Sequence, residues 1–253
     1  MQTGVAKFIK ELAKAALPAP VWRLGLRIQR CCSGYTWRLP PRLRPLPAAA
    51  SPQLALLHRA WELAAGSEAD LFRACYYGID LEGFPLPGER PWHPRWRLFN
   101  RNVSWRGARV LELGCNVGLL STFALLEGAQ DALGVESNSV LLEANHLVQR
   151  AFRVSYRTIR CNFDDPNPWE EELAAFRPTI VTALSVLNWV RQKERFLKFL
   201  SRFGLVLFEG HDRDAVERRR LAQVGFTDVT AVGRSELNRA VFLARKSGEG
   251  PST

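Results

Sequence analysis

The chain of 253 residues carries 35 Lys or Arg against 25 Asp or Glu, a net charge of +10, and 47% of its residues are apolar. This is globular composition with enough length to bury a full core, which excludes a disordered chain and a mini-protein held by cross-links. No apolar run reaches the ~18 residues that span a bilayer, so a soluble or peripheral protein is expected.

The basicity is local. Residues 1–50 hold nine Lys or Arg and a single acid, Glu11, whereas the rest of the chain is nearly balanced at 26 basic to 24 acidic groups. Val5, Phe8, Ile9, Leu12, Ala13 and Ala16 recur at helical spacing, with Lys7, Lys10, Glu11 and Lys14 on the opposite arc. This predicts an amphipathic helix ended by Pro18 and Pro20. Such a face either lies on an anionic membrane, with residues 5–30 making a peripheral contact, or packs on the protein's own body or a partner protomer. Five cysteines, odd in number and without C-x-x-C spacing, argue against a disulfide framework and for a cytoplasmic protein. The four histidines show no metal-ligand spacing.

Five prolines between Leu39 and Pro52 mark a linker. The chain therefore divides into a basic arm and linker (1–50), a helical and aromatic cap (51–107), an α/β domain (108–246) and a disordered tail (247–253). Within the cap, helices are expected over Gln53–Ala65 and Ala69–Tyr77. Residues 76–97, dense in Gly, Pro and aromatics, should form an ordered loop or hairpin suited to a substrate lid. Tyr77, Arg90 and Trp92 are its candidate substrate contacts.

From residue 108 the pattern alternates. Strands are expected at 109–113, 132–136, 156–160, 180–184, 205–209, 228–232 and 240–244, with helices near 118–127, 138–152, 169–176, 192–201 and 212–224. This is a doubly wound, seven-stranded, mostly parallel sheet, closed by an antiparallel hairpin because no helix separates the last two strands.

At the first of these strands, Arg109-Val-Leu-Glu-Leu-Gly-Cys-Asn-Val-Gly-Leu-Leu-Ser121 reads as strand, glycine turn and helix. A ligand can approach the backbone of such a turn where Gly114 and Gly118 lack a Cβ, and the helix N-terminus offers unpaired N–H groups. The G-x-G-x-x-G spacing of a dinucleotide site is absent, since Asn116 and Leu119 stand where its second and third glycines belong. Glu112-x-Gly114-x-x-x-Gly118 resembles instead motif I of the class I S-adenosylmethionine-dependent methyltransferases. The order of elements resembles that family's Rossmann-like sheet.

The resemblance implies S-adenosyl-L-methionine as cofactor, held by Glu112, Gly114, Cys115, Asn116 and Gly118. Glu136, 18 residues after Gly118, ends the neighbouring strand, where a carboxylate can accept hydrogen bonds from both ribose hydroxyls. In the resembling family, Phe163 and Asp164 would flank the adenine. Ser185-Val-Leu-Asn188-Trp189 is similar to a loop common in small-molecule methyltransferases, so Ser185 would touch the cofactor, and Asn188 and Trp189 the substrate. The chain lacks the Asp/Asn-Pro-Pro-Tyr/Phe sequence and the Pro-Cys nucleophile of base-modifying relatives. Glu209 and His211, at the carboxyl edge of the fifth strand, are the catalytic candidates, with His211 as base; a capping or surface role is the alternative for His211. The expected activity is O-methylation of a small-molecule, glycan or lipid-linked acceptor. An RNA-modifying methyltransferase recruited by the arm, or a catalytically silent scaffold, are the alternatives.

Overall fold

A computed structural model of the chain describes residues 43–67, 75–81 and 83–246. The expected amphipathic arm helix, the first residues of the linker (39–42) and the expected tail lie outside the described residues.

Ten strands and seven helices are formed by the described residues. The helix α1 (Pro52–Ser67) leads into a small sheet of β1 (Cys75–Leu81), β2 (Phe84–Leu86) and β3 (Gly88–Pro91), ordered β2-β1-β3, followed by α2 (Trp92–Asn100). The main domain runs β4 (Arg109–Leu113), α3 (Leu119–Leu126), β5 (Asp131–Glu136), α4 (Ser139–Phe152), β6 (Arg157–Arg160), α5 (Glu170–Ala175), β7 (Ile180–Leu184), α6 (Lys193–Leu200), β8 (Leu205–Glu209), α7 (Asp214–Gln223), β9 (Asp228–Arg234) and β10 (Ala240–Arg245).

These last seven strands form one sheet in the order β6-β5-β4-β7-β8-β10-β9. The first five are mutually parallel, and β10 is antiparallel to both its neighbours. The expected doubly wound sheet and closing hairpin are thus present. The strands have continuous apolar runs because both faces of the sheet are covered. On one face, Val110, Ala132 and Leu207 pack under α1 to α4; on the other, Leu111, Val181 and Phe208 pack against α5 to α7. Between β4 and β7 the winding reverses, which opens a crevice at the carboxyl ends of the strands.

The cap departs from expectation. Cys75–Tyr77, expected to end a helix, begin β1; the stretch expected to be a loop or hairpin does hold the antiparallel β1–β2 hairpin, and adds β3 and the start of α2. Pro94 obscured the helix in the sequence, but it sits in the first turn, where proline's missing N–H leaves no bond unmade. Trp92, Arg95, Trp96 and Phe99 then fall on one buried stripe. Trp92 stacks near Trp96 and Trp96 near Trp105, at 5.8 and 5.4 Å between ring centres, with Phe123 of α3 edge-on to the first two. This aromatic wedge joins the cap to the main domain. Among the described residues no helix is long and apolar enough to cross a membrane.

Candidate active site

Four adjacent strands end side by side along one sheet edge, with Glu136 on β5, Gly114 after β4, Ser185 after β7 and Glu209 on β8. At about 4.8 Å per strand spacing this row is about 14 Å long.

The glycine turn is held from below. The amides of Gly114 and Cys115 both donate to the Val135 carbonyl, at 2.8 and 2.9 Å. Gly114 and Gly118 have φ of 74° and 76°, and Asn116 joins them in the left-handed region at 50°. A Cβ on Gly118 would strike the Tyr156 hydroxyl and the Asn145 amide, and one on Gly114 would crowd Val186. At both positions the missing Cβ makes room for the protein's own side chains. The Tyr156 hydroxyl shares its one proton between the Gly118 carbonyl at 3.1 Å and Asn145 Oδ1 at 2.9 Å, and Gln149 also donates to Asn145, at 2.9 Å. Cys115 points into this layer, receiving Asn145 Nδ2 at 3.5 Å, and burial pushes its thiol well up. It presents no surface to a ligand.

The two motif carboxylates have different surroundings. Glu112 is buried, and its Oε2 accepts the Ser121 hydroxyl at 2.6 Å and the Ser121 amide at 3.0 Å, bracing α3 against β4. Burial raises its pKa to about 8 against the opposing pull of Ser121. Glu136 is half-buried on the sheet edge. Its Oε2 accepts the Asn116 amide at 3.1 Å, while Oε1 accepts Ser137 N and Asn138 N at 2.8 and 3.1 Å.

Asp164, after β6, accepts the amides of Arg191 and Gln192 at 2.7 and 3.0 Å and so ties its loop to the one after β7. Phe163 is largely buried edge-on to Trp169, 5.1 Å between centres. Asn188 and Trp189 lie half-buried in the loop after β7.

At the other end of the row is a charge cluster that the sequence showed only in pieces. Glu209 is fully buried. Its Oε1 accepts Arg90 Nη2 at 2.8 Å, Ser185 Oγ at 3.0 Å and Ser235 Oγ at 3.2 Å, while Oε2 pairs with Arg95 Nη2 at 2.9 Å. Arg239 approaches at 3.9 Å. Arg90 also donates to the Tyr76 hydroxyl at 2.7 Å, to Ser185 Oγ at 3.2 Å and to Glu236. Burial would raise the Glu209 pKa, but Arg95 and Arg90 outweigh it and hold the carboxyl down to about 2. A buried carboxylate paired with two guanidinium groups is a poor proton acceptor, which tells against a base role for Glu209.

Arg95, Ser235, Glu236 and Arg239 were missed. One signal was available for Arg95, a charged residue inside the apolar stripe of α2. Of the three cap residues expected to meet substrate, only Arg90 reaches this edge. Tyr77 and Trp92 are core residues, edge-on to each other at 5.3 Å, and burial drives the Tyr77 hydroxyl pKa well up. His211 follows β8, its amide donating to Glu217 Oε1 at 3.0 Å.

No protein-family model and no curated protein matches the sequence. Solved structures do. EvdMO1 aligns with a TM-score of 0.54 at 21% identity, covering 79% of this chain and 50% of that one. The N-terminal domain of EvdMO1 with SAH bound aligns with a TM-score of 0.55 at 18% identity, over 79% of this chain and 100% of that one. The chain thus spans half the length of EvdMO1 and all of its N-terminal domain. An S-adenosylmethionine-dependent methyltransferase from Mesorhizobium loti also matches, with a TM-score of 0.47 at 14% identity, over 59% and 96% of the two chains. With its strand order, its antiparallel β10 and its glycine turn after β4, the chain has a Rossmann-like methyltransferase fold.

Proposed function

We propose that the chain is an S-adenosylmethionine-dependent methyltransferase acting on an oxygen of a small-molecule, glycan or lipid-linked acceptor. The observation that carries this reading is Glu136, a half-buried carboxylate at the end of β5 joined to the Asn116 amide of the glycine turn. Its acceptor-only oxygens suit the two adjacent hydroxyls of a ribose. The donor set fits the cofactor: Glu136 for the ribose, Phe163 and the Asp164 loop for the adenine, and the backbone of Gly114 and Asn116 with Ser185 toward the methionine end. The SAH bound by the similar EvdMO1 domain is in keeping with that fit.

When bound, the cofactor supplies a methyl group activated on a sulfonium. The chain's own work is to position the acceptor beyond Ser185 and to exclude water, since displacement at a sulfonium gains chiefly from alignment and desolvation. His211 would take the acceptor's hydroxyl proton. Contact of residues 5–30 with an anionic membrane belongs to the same reading, on the strength of their lysine-flanked apolar periodicity, and co-sedimentation with anionic vesicles tests it. For the cofactor, calorimetry should show S-adenosylmethionine binding to the wild type, weakened about tenfold or more by Glu136→Ala through loss of a charge-assisted bond. Absence of binding, or no effect of the variant, overturns the reading. His211→Ala should lower turnover with cofactor affinity retained.

A further inference from the structure

The charge cluster at the end of β8 is built from three guanidinium groups, Arg90, Arg95 and Arg239, facing two carboxylates, Glu209 and Glu236. The two acids are unlike. Glu209 is fully buried on a central strand and takes bonds from Arg90, Ser185 and Ser235 as well as the ion pair to Arg95. Glu236 lies on the short turn between β9 and β10, its side chain is 20% exposed, and it pairs with Arg90 and, at 3.5 Å, Arg95. Both arginines are 1% exposed, and among the described residues no acceptor meets the Nε–H of Arg95. Arg90 has all three nitrogens paired, two of them on Glu209 and Glu236, and Arg95 keeps one N–H without an acceptor; such buried guanidinium forks match a carboxylate or phosphate, and a neutral group cannot replace a carboxylate on them. The cluster adjoins Ser185, on the side of the glycine turn away from Glu136.

We propose that Arg90 and Arg95 recognise an acidic group, carboxylate or phosphate, on the methyl acceptor, and that Glu236 is an internal stand-in which this group displaces as the 235–239 turn opens. The assignment rests on the methyltransferase reading above and narrows its acceptor to an acid. Displacing Glu236 keeps the arginines paired, so the cost of uncovering buried charge is avoided. Arg239, on the same turn, moves with it and leaves Glu209 in place beneath.

The test uses the full chain with saturating S-adenosylhomocysteine and inorganic phosphate as the acidic probe, against chloride at matched ionic strength. Phosphate should raise the thermal midpoint beyond chloride, and Glu236→Gln should reach half-saturation at about tenfold lower phosphate, because no internal anion competes. Should Glu236→Gln not fold, Glu236→Asp, whose carboxylate reaches one methylene less, should show the same change in smaller degree. Equal phosphate dependence in wild type and variant overturns the proposal, as does a response no larger than that to chloride. A second arm measures S-adenosylhomocysteine binding by calorimetry. A tenfold tightening in Glu236→Gln would assign the arginines to the cofactor's own carboxylate and overturn the acceptor assignment. If the wild type binds no S-adenosylhomocysteine, the methyltransferase reading fails, and the phosphate series run without it still decides whether the arginines form an acid site.

Discussion

Tyr156 donates to the backbone carbonyl of Gly118 at 3.1 Å, fastening the glycine turn to the chain segment that enters β6. The hydroxyl that makes this bond occupies the space where a Gly118 side chain would have to go. Turn shape is thus set by a polar layer beneath it.

Gly118→Ala should therefore destabilise the protein in the absence of any cofactor. The left-handed backbone alone costs about 1–2 kcal/mol for a residue with a Cβ, and the collision with Asn145 and Tyr156 adds to it. Thermal denaturation without ligand checks this. A variant as stable as the wild type but deficient only in cofactor binding would return the glycine to a ligand-approach role.

Glu112 makes stability fall as pH rises. Its pKa is raised in the folded state to about 8 from the ordinary 4.5, so the folded protein holds a proton that the unfolded chain has released. The contribution is full below about pH 4.5 and declines by at most about 1.4 kcal/mol per pH unit up to about pH 8. Glu112→Gln, which keeps an oxygen acceptor for Ser121, should flatten the slope in chemical denaturation measured across that window.

Glu209 acts in the opposite direction. With its folded pKa held to about 2, its stabilisation is complete above about pH 4.5 and is lost as pH falls toward 2. Glu209→Gln should weaken the fold at neutral pH by about 3–5 kcal/mol, because Arg90 and Arg95 remain buried without their partner. It should also shorten the acid limb of the stability profile. Acid titration of both proteins by circular dichroism reads this out.

Trp96 joins the cap to the main domain between Trp92, Trp105 and Phe123. Trp96→Ala should cost about 3–5 kcal/mol. A loss under 1 kcal/mol in urea denaturation would mean that the wedge does not hold the cap.

Asp164→Ala should release the Arg191 and Gln192 amides, which accordingly exchange faster with deuterium, at a stability cost of about 1 kcal/mol for a lost capping acceptor. Unchanged exchange at these two amides would show that other contacts hold the loop.

Local patterning made the main domain legible. Val110 to Leu113, Ile180 to Leu184 and Leu205 to Phe208 are runs apolar but for Glu112 and Thr182 between turn signals, and parallel strands buried on both faces leave that mark. The cap was less legible. Its strands are short, one pairing is parallel and spans the β2 hairpin, and Pro94 sits where a helix begins. The candidate residues follow the same division: the strand-end positions of Glu136 and Ser185 are readable locally, whereas Arg95, Glu236 and Arg239 lie on other elements, with no spacing that links them to Glu209.

The sequence by itself determined the alternation of strands and helices, the glycine turn after β4 and the carboxylate that ends β5, because each depends on neighbours within a few residues. Only the tertiary structure decided what those residues face. It turned Tyr77 and Trp92 into core, made Glu112 a brace for Ser121, and gathered Arg90, Arg95 and Glu236 around Glu209. The last of these contacts depend on chain segments more than a hundred residues apart meeting at one sheet edge, and on burial there setting which charges stay ionised.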